Sequence, residues 1–194
     1  SMQIGFDVRC LTSPQRTGVA DYTSQLLTAV LAQPNQHDWW LFYNAYRDVG
    51  ANVLHTNLPN VHEVVTSWPN KLFHLGTGLR IIELDKHVCR AARFRGHTLE
   101  KLDWFFSPNL HFTNLSRQTK FALTIHDLTF ELYPNSFSLR RRVRHRAVRP
   151  QAQAKRANII FTPSENTRRD VCDFWKIDPA KVRVLYPGMT QSVA

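Results

Sequence analysis

The run Phe121-Ala122-Leu123-Thr124-Ile125 ends abruptly in His126-Asp127, and a turn signal follows at Pro134-Asn135. A short apolar run rich in β-formers suits a strand buried on both faces of a parallel sheet. Ligands of open α/β sheets bind outside the carboxyl ends of the strands, where this polar pair would sit. A neutral imidazole there can accept or donate a hydrogen bond to a substrate hydroxyl. The plainer alternative has Asp127 capping the next segment and His126 bonding to backbone.

A second chemical feature is a run of like charge. The chain carries a formal charge of +10, and residues 138–156 hold eight basic side chains and no acid. Outside that run seventeen basic residues face fifteen acidic ones, so the excess is a local patch, which points to an anionic surface nearby. Within it Leu139, Val143 and Ala147 recur every four residues, a narrow apolar stripe suited to packing on a sheet. Arg140, Arg141, Arg142, Arg144, Arg146 and Arg149 would then spread over the outer sides, where several could reach lipid head groups together. A basic face left free in solution is the other reading.

No Asp-x-Asp pair occurs, so no local carboxylate cluster is suited to holding Mg²⁺ or Mn²⁺ on a diphosphate. A phosphate would have to be met by backbone amides, helix termini and basic side chains. Gly18 lies in a loop before a helix, where a missing side chain lets backbone approach closely, although a lone glycine there also serves as a turn residue. Cys10, Cys89 and Cys172 are odd in number, far apart and without metal-ligand spacing, which favours reduced thiols in a cytoplasmic compartment.

The elements that must position these residues are legible as alternating strands and helices. Strands are predicted at residues 3–6, 39–43, 61–65, 104–106, 121–125, 158–162 and 182–185. A helix is predicted over 20–32, with Leu26, Leu27, Val30 and Leu31 at helical spacing, and another over 80–95, with Ile81, Leu84, Val88 and Ala92 on one face. Residues 66–79 read as a loop with exposed aromatics, Trp68 and Phe73, and residues 7–18 as a loop broken by Pro14 and Gly18. A basic helix starts at Ser138, and Pro150 should kink or interrupt it. A last helix runs to about Trp175, with Ser164 as N-cap and Glu165 in its first turn. This order predicts one domain of α/β class, a doubly wound, mostly parallel sheet. The loops at 9–18, 126–136 and 163–166 would gather on one edge of that sheet.

Four segments in order resemble retaining glycosyltransferases of family 4. They are Ile4-Gly5-Phe6-Asp7-Val8-Arg9 with Thr17-Gly18-Val19-Ala20-Asp21-Tyr22; Leu123-Thr124-Ile125-His126-Asp127-Leu128 with Tyr133-Pro134; residues 157–171; and Lys181-Val182-Arg183-Val184-Leu185-Tyr186-Pro187-Gly188. The resemblance implies the GT-B fold, two Rossmann-like domains facing across a cleft. Residues 1–194 would be the amino-terminal, acceptor-side domain, with the carboxy-terminal donor-binding domain absent from this chain. It implies transfer of a sugar, with retention, from a nucleotide sugar to a glycan or lipid-linked acceptor in bacterial surface polysaccharide or glycolipid synthesis. No cofactor beyond the nucleotide-sugar co-substrate and no metal are expected, and the place of action is cytoplasmic, peripheral on the inner face of the membrane.

By the same resemblance His126 faces the donor sugar and supports positive charge developing at the sugar carbon, while Gly18 touches the donor diphosphate. Arg9, Asp21, Tyr22, Asp127, Ser164 and Glu165 are candidates for lining the acceptor side of the cleft. Each also has a structural reading: capping for Asp127, Ser164 and Glu165, packing or surface for the others. Two further functions compete, a basic nucleic-acid-binding α/β module and a sugar phosphorylase on the same fold. Against the first stand the lack of any nucleic-acid motif and the confinement of the basic excess to one segment.

Overall fold

The computed structural model describes residues 1–12, 17–34, 36–45 and 56–188; Pro14 lies outside them. The first apolar run forms β1 (Gln3–Asp7), followed by α1 (Gly18–Leu31), whose N-cap Thr17 accepts a hydrogen bond from the amide of Ala20. Next come β2 (Asp38–Asn44), β3 (Val61–Thr66), α2 (Asn70–Gly78), α3 (Leu84–Phe94) and β4 (Trp104–Ser107). The second half supplies β5 (Lys120–Thr124), the single turn α4 (Thr129–Leu132), α5 (Leu139–Val148), α6 (Pro150–Arg156), β6 (Ile159–Thr162), α7 (Glu165–Trp175) and β7 (Val182–Val184).

The seven strands make one sheet in the order β3-β2-β1-β4-β5-β6-β7, every neighbouring pair parallel. Both faces are covered, which is why β2 is buried from Trp39 to Asn44 rather than alternating. One face packs Phe42, Phe105, Phe121, Leu123 and Ile160 against Val88 of α3, Ala154 of α6 and Trp175 of α7. The other packs Phe6, Leu41 and Tyr43 against Ala20 and Leu27 of α1. Among the described residues no helix is long and apolar enough to cross a membrane.

Three expectations are corrected. Residues 66–79 are not a loop: they contain α2, and Phe73 is fully buried, while Trp68 is exposed as expected. The helix after it starts at Leu84, not at residue 80, and Ile81 is 75% exposed instead of lying on the packed face. The third concerns α5. Pro150 does interrupt the basic segment, with Arg149 in the left-handed region at φ 56°, but the helix that reaches the sheet is α6, burying Pro150, Gln153 and Ala154. With that place taken, α5 rides outside, and the stripe of Leu139, Val143 and Ala147 faces away from the sheet; Leu139 is 73% exposed. Its half-buried line is Arg142, His145 and Val148. His145 Nε2 lies 3.0 Å from Glu131 Oε1, and its ring stacks on Phe130, which in turn stacks on Phe137.

Candidate active site

Strand order turns back between β1 and β4, so the crevice for a ligand opens outside their carboxyl ends. His126 stands beside it. Beyond β5 the amide of Ile125 still bonds the Phe161 carbonyl at 2.9 Å, which keeps the chain straight to the sheet edge. The His126 Nε2 then lies 2.8 Å from the carbonyl of Pro108, just past β4. A carbonyl only accepts, so Nε2 carries the proton and Nδ1 of the neutral ring is left as an acceptor. Burial pushes the His126 pKa down, against the smaller opposing effects of the Pro108 carbonyl and Asp127. The ring is therefore neutral at pH 7.

Other residues converge on this histidine. The Tyr22 ring, from the first turns of α1, meets the imidazole edge-on with centroids 4.8 Å apart. Its hydroxyl lies 3.3 Å from Thr124 Oγ1, and burial raises its pKa. The Thr167 hydroxyl at the start of α7 donates to the His126 carbonyl at 3.4 Å. Imidazole, phenol and the starts of α1 and α7 are thus brought to one edge from three separate stretches of sequence. Gly18 opens α1 there, exposed, and among the described residues nothing beyond its own turn comes within 4 Å of where a Cβ would stand. Asp21 follows in the same first turn, where a negative charge suits the helix dipole.

The remaining candidates are placed as follows. Arg9 turns inward: its side chain is 4% exposed and grips Asp7 through Nε–Oδ1 at 2.9 Å and Nη2–Oδ2 at 2.7 Å. The same Nη2 donates to the Phe112 carbonyl at 3.0 Å, tying the end of β1 to the loop after β4. Burial pushes the Asp7 carboxyl up, but the charge of Arg9 and its hydrogen bonds outweigh this and hold the pKa below the usual value. Asp127 is exposed and caps the next turn, accepting from the Thr129 amide at 2.8 Å. Ser164 caps α7 through the Thr167 amide at 3.2 Å, and Glu165 pairs on the surface with Arg168 at 3.4 Å. Arg140, Arg141, Arg144, Arg146 and Arg149 are exposed, and Arg142 is half-buried.

Sequence reasoning missed the Pro108 carbonyl and Thr167 as partners of His126. The first is a backbone atom 18 residues away, for which side-chain identity holds no signal. Among the described residues no three His, Cys, Asp or Glu side chains come together as a metal-ligand set. A family model described as Glycosyltransferase Family 4 matches residues 16–191. No match among curated proteins accompanies it.

Proposed function

Since the chain belongs to glycosyltransferase family 4, we propose that it is the acceptor-side domain of a retaining enzyme that transfers a sugar from a nucleotide-sugar donor to a glycan or lipid-linked acceptor. The observation that supports this most is the setting of His126: at the switch point, buried enough to stay neutral, with Nε2 engaged by Pro108 and Nδ1 available as acceptor. Such a group can hold a donor-sugar hydroxyl and favour positive charge developing at the adjacent carbon. Retention without an enzyme nucleophile leaves the departing phosphate to take the acceptor's proton. The first amides of α1, beside Gly18, are suited to the donor diphosphate, so that charge is met without a metal. The other wall of the cleft would come from a carboxy-terminal donor-binding domain. The arginines of α5 would hold the protein at an anionic membrane, where a lipid-linked acceptor of surface polysaccharide or glycolipid synthesis resides.

His126→Ala in the two-domain enzyme tests this. Removing one preorganised group that acts where charge develops lowers kcat by roughly a hundredfold or more, with acceptor KM little changed. Near-normal kcat would reduce His126 to a structural histidine. Residues 1–194 alone should fold and transfer nothing, and turnover of any nucleotide sugar by them would contradict the two-domain reading.

A further inference from the structure

The flank formed by α2, α5 and α6 has two adjoining recesses. An apolar groove of about 640 Å³ runs between α2 and α5, bordered by Leu75, Leu79 and Val143 and floored by Phe112. The three aliphatic side chains are 57%, 62% and 59% exposed, too much apolar surface at one place to be scattered solvent contacts. Lys71, Arg140, Arg144 and Arg146 rim the groove, and among the described residues no acid lines it. At Gly78, Phe112, Ala147 and Arg149 it passes into a second recess of about 330 Å³ between the end of α2, the loop after β4 and α6.

The second recess is polar and cationic. Arg80, Arg117 and Arg149 stand around it exposed, whereas Arg156 is spent on the Ser116 and Thr119 carbonyls. Its one acid among the described residues, Glu83, is already paired with Lys86. Two polar atoms of lining residues have no partner among the described residues: the Thr113 hydroxyl and Gln153 Oε1. Gln153 is only 6% exposed, and its Nε2 is held by the His111 and Val148 carbonyls, which fixes the amide plane and leaves Oε1 as an orphaned acceptor. An acceptor left so wants a donor from outside the protein.

We propose that this double recess binds an anionic membrane phospholipid whose head group carries hydroxyls. The guanidinium groups match a phosphodiester, a head-group hydroxyl supplies the donor for Gln153 and a partner for Thr113, and the groove takes the first carbons of an acyl chain. None of the lining residues is Gly18, Tyr22 or His126, so the bound lipid anchors the protein and is not the acceptor. The inference rests on the membrane-facing reading of α5 and is independent of the chemistry at His126.

Flotation of residues 1–194 with phosphatidylcholine vesicles tests it, using phosphatidylglycerol or phosphatidylmethanol as the anionic component at equal fraction and salt. Both lipids carry one phosphodiester charge, but only the first has head-group hydroxyls. Phosphatidylglycerol vesicles should bind about fivefold tighter, the effect of roughly one added hydrogen bond. Thr113→Val, which breaks no bond within the protein, should cut that preference to about twofold, since Gln153 keeps its donor. Arg80→Gln and Arg117→Gln, both at exposed positions, should each weaken binding to either vesicle about fivefold. Equal binding of the two lipids, or a preference that Thr113→Val leaves undiminished, overturns the site while leaving the membrane-facing reading of α5 standing. Binding to neither vesicle overturns both, and neither result bears on transfer activity.

Discussion

Replacing Asp7 by asparagine would leave the Arg9 guanidinium in place and remove its charge partner. Both side chains are essentially closed to water, at 3% and 4% exposure, so solvent cannot take over. An asparagine offers one oxygen where the carboxylate used two, and it turns N–H toward a donor that sits 2.7 Å away. The remaining compensation is the Phe112 carbonyl, 3.0 Å from Nη2, and the Phe42 and Phe73 rings, 5.7 and 5.9 Å from the guanidinium carbon and worth about 0.5–2 kcal/mol. Breaking a buried pair from one side costs about 3–5 kcal/mol, a large part of the roughly 5–15 kcal/mol that holds a domain folded. Urea unfolding of residues 1–194 at pH 7, followed by tryptophan fluorescence, should show that loss for Asp7→Asn and a comparable one for Arg9→Met. The double variant should cost clearly less than the two together, because no charge is then stranded. The depressed carboxyl pKa sets the pH range: the pair's contribution is present above about 3.8, the unfolded value, and disappears only as pH falls through the lower folded one. Since Arg9 also spans to the Phe112 carbonyl, activity should fall in step with stability. An Asp7→Asn cost under about 1 kcal/mol, far below what stranding a buried charge requires, would refute this account. So would strict additivity, or an Arg9→Met enzyme with raised acceptor KM and unchanged stability, and the last would return Arg9 to the acceptor pocket.

Gly5→Ala would set a methyl 2.7 Å from Phe105 Cδ2 and 2.8 Å from Leu102 Cδ1, both in buried side chains, and should cost about 1–3 kcal/mol by urea unfolding. Ser164→Ala removes the cap on α7 and should cost about 1 kcal/mol, with amide exchange faster in that helix's first turn. Burial pushes His74 down to about 4 and His111 well below its ordinary value, so below pH 6.5 the unfolded chain takes up more protons and the fold loses stability. Allowing for the partial exposure of His74, its share between pH 7 and 5 is about 1 kcal/mol. His74→Phe should flatten the pH dependence by that amount, and an unchanged slope would show that His74 titrates normally.

What could be read from sequence was local. The strand that delivers His126, the Ser164 cap, the break at Pro150 and the gathering of three loops on one sheet edge all follow from periodicity and backbone chemistry within a few residues. α2 escaped because its sequence argues against it: two glycines, and Pro69 at the N-cap position with no capping side chain, leave a helix that gains its stability from burying Phe73 and Thr77. The two sides of α5 were misjudged for a related reason. Spacing shows that Leu139, Val143 and Ala147 share a face, but only packing decides whether that face meets the sheet, and α6 had already filled the space. Arg9 and His126 make the same point at the candidate site. Their residue types announced possible chemistry, yet one guanidinium is consumed by Asp7 while the imidazole is turned by a carbonyl from the loop after another strand. A side chain's bonding partners are set by strand order and register, which bring together residues far apart in the chain, and no local pattern holds that information.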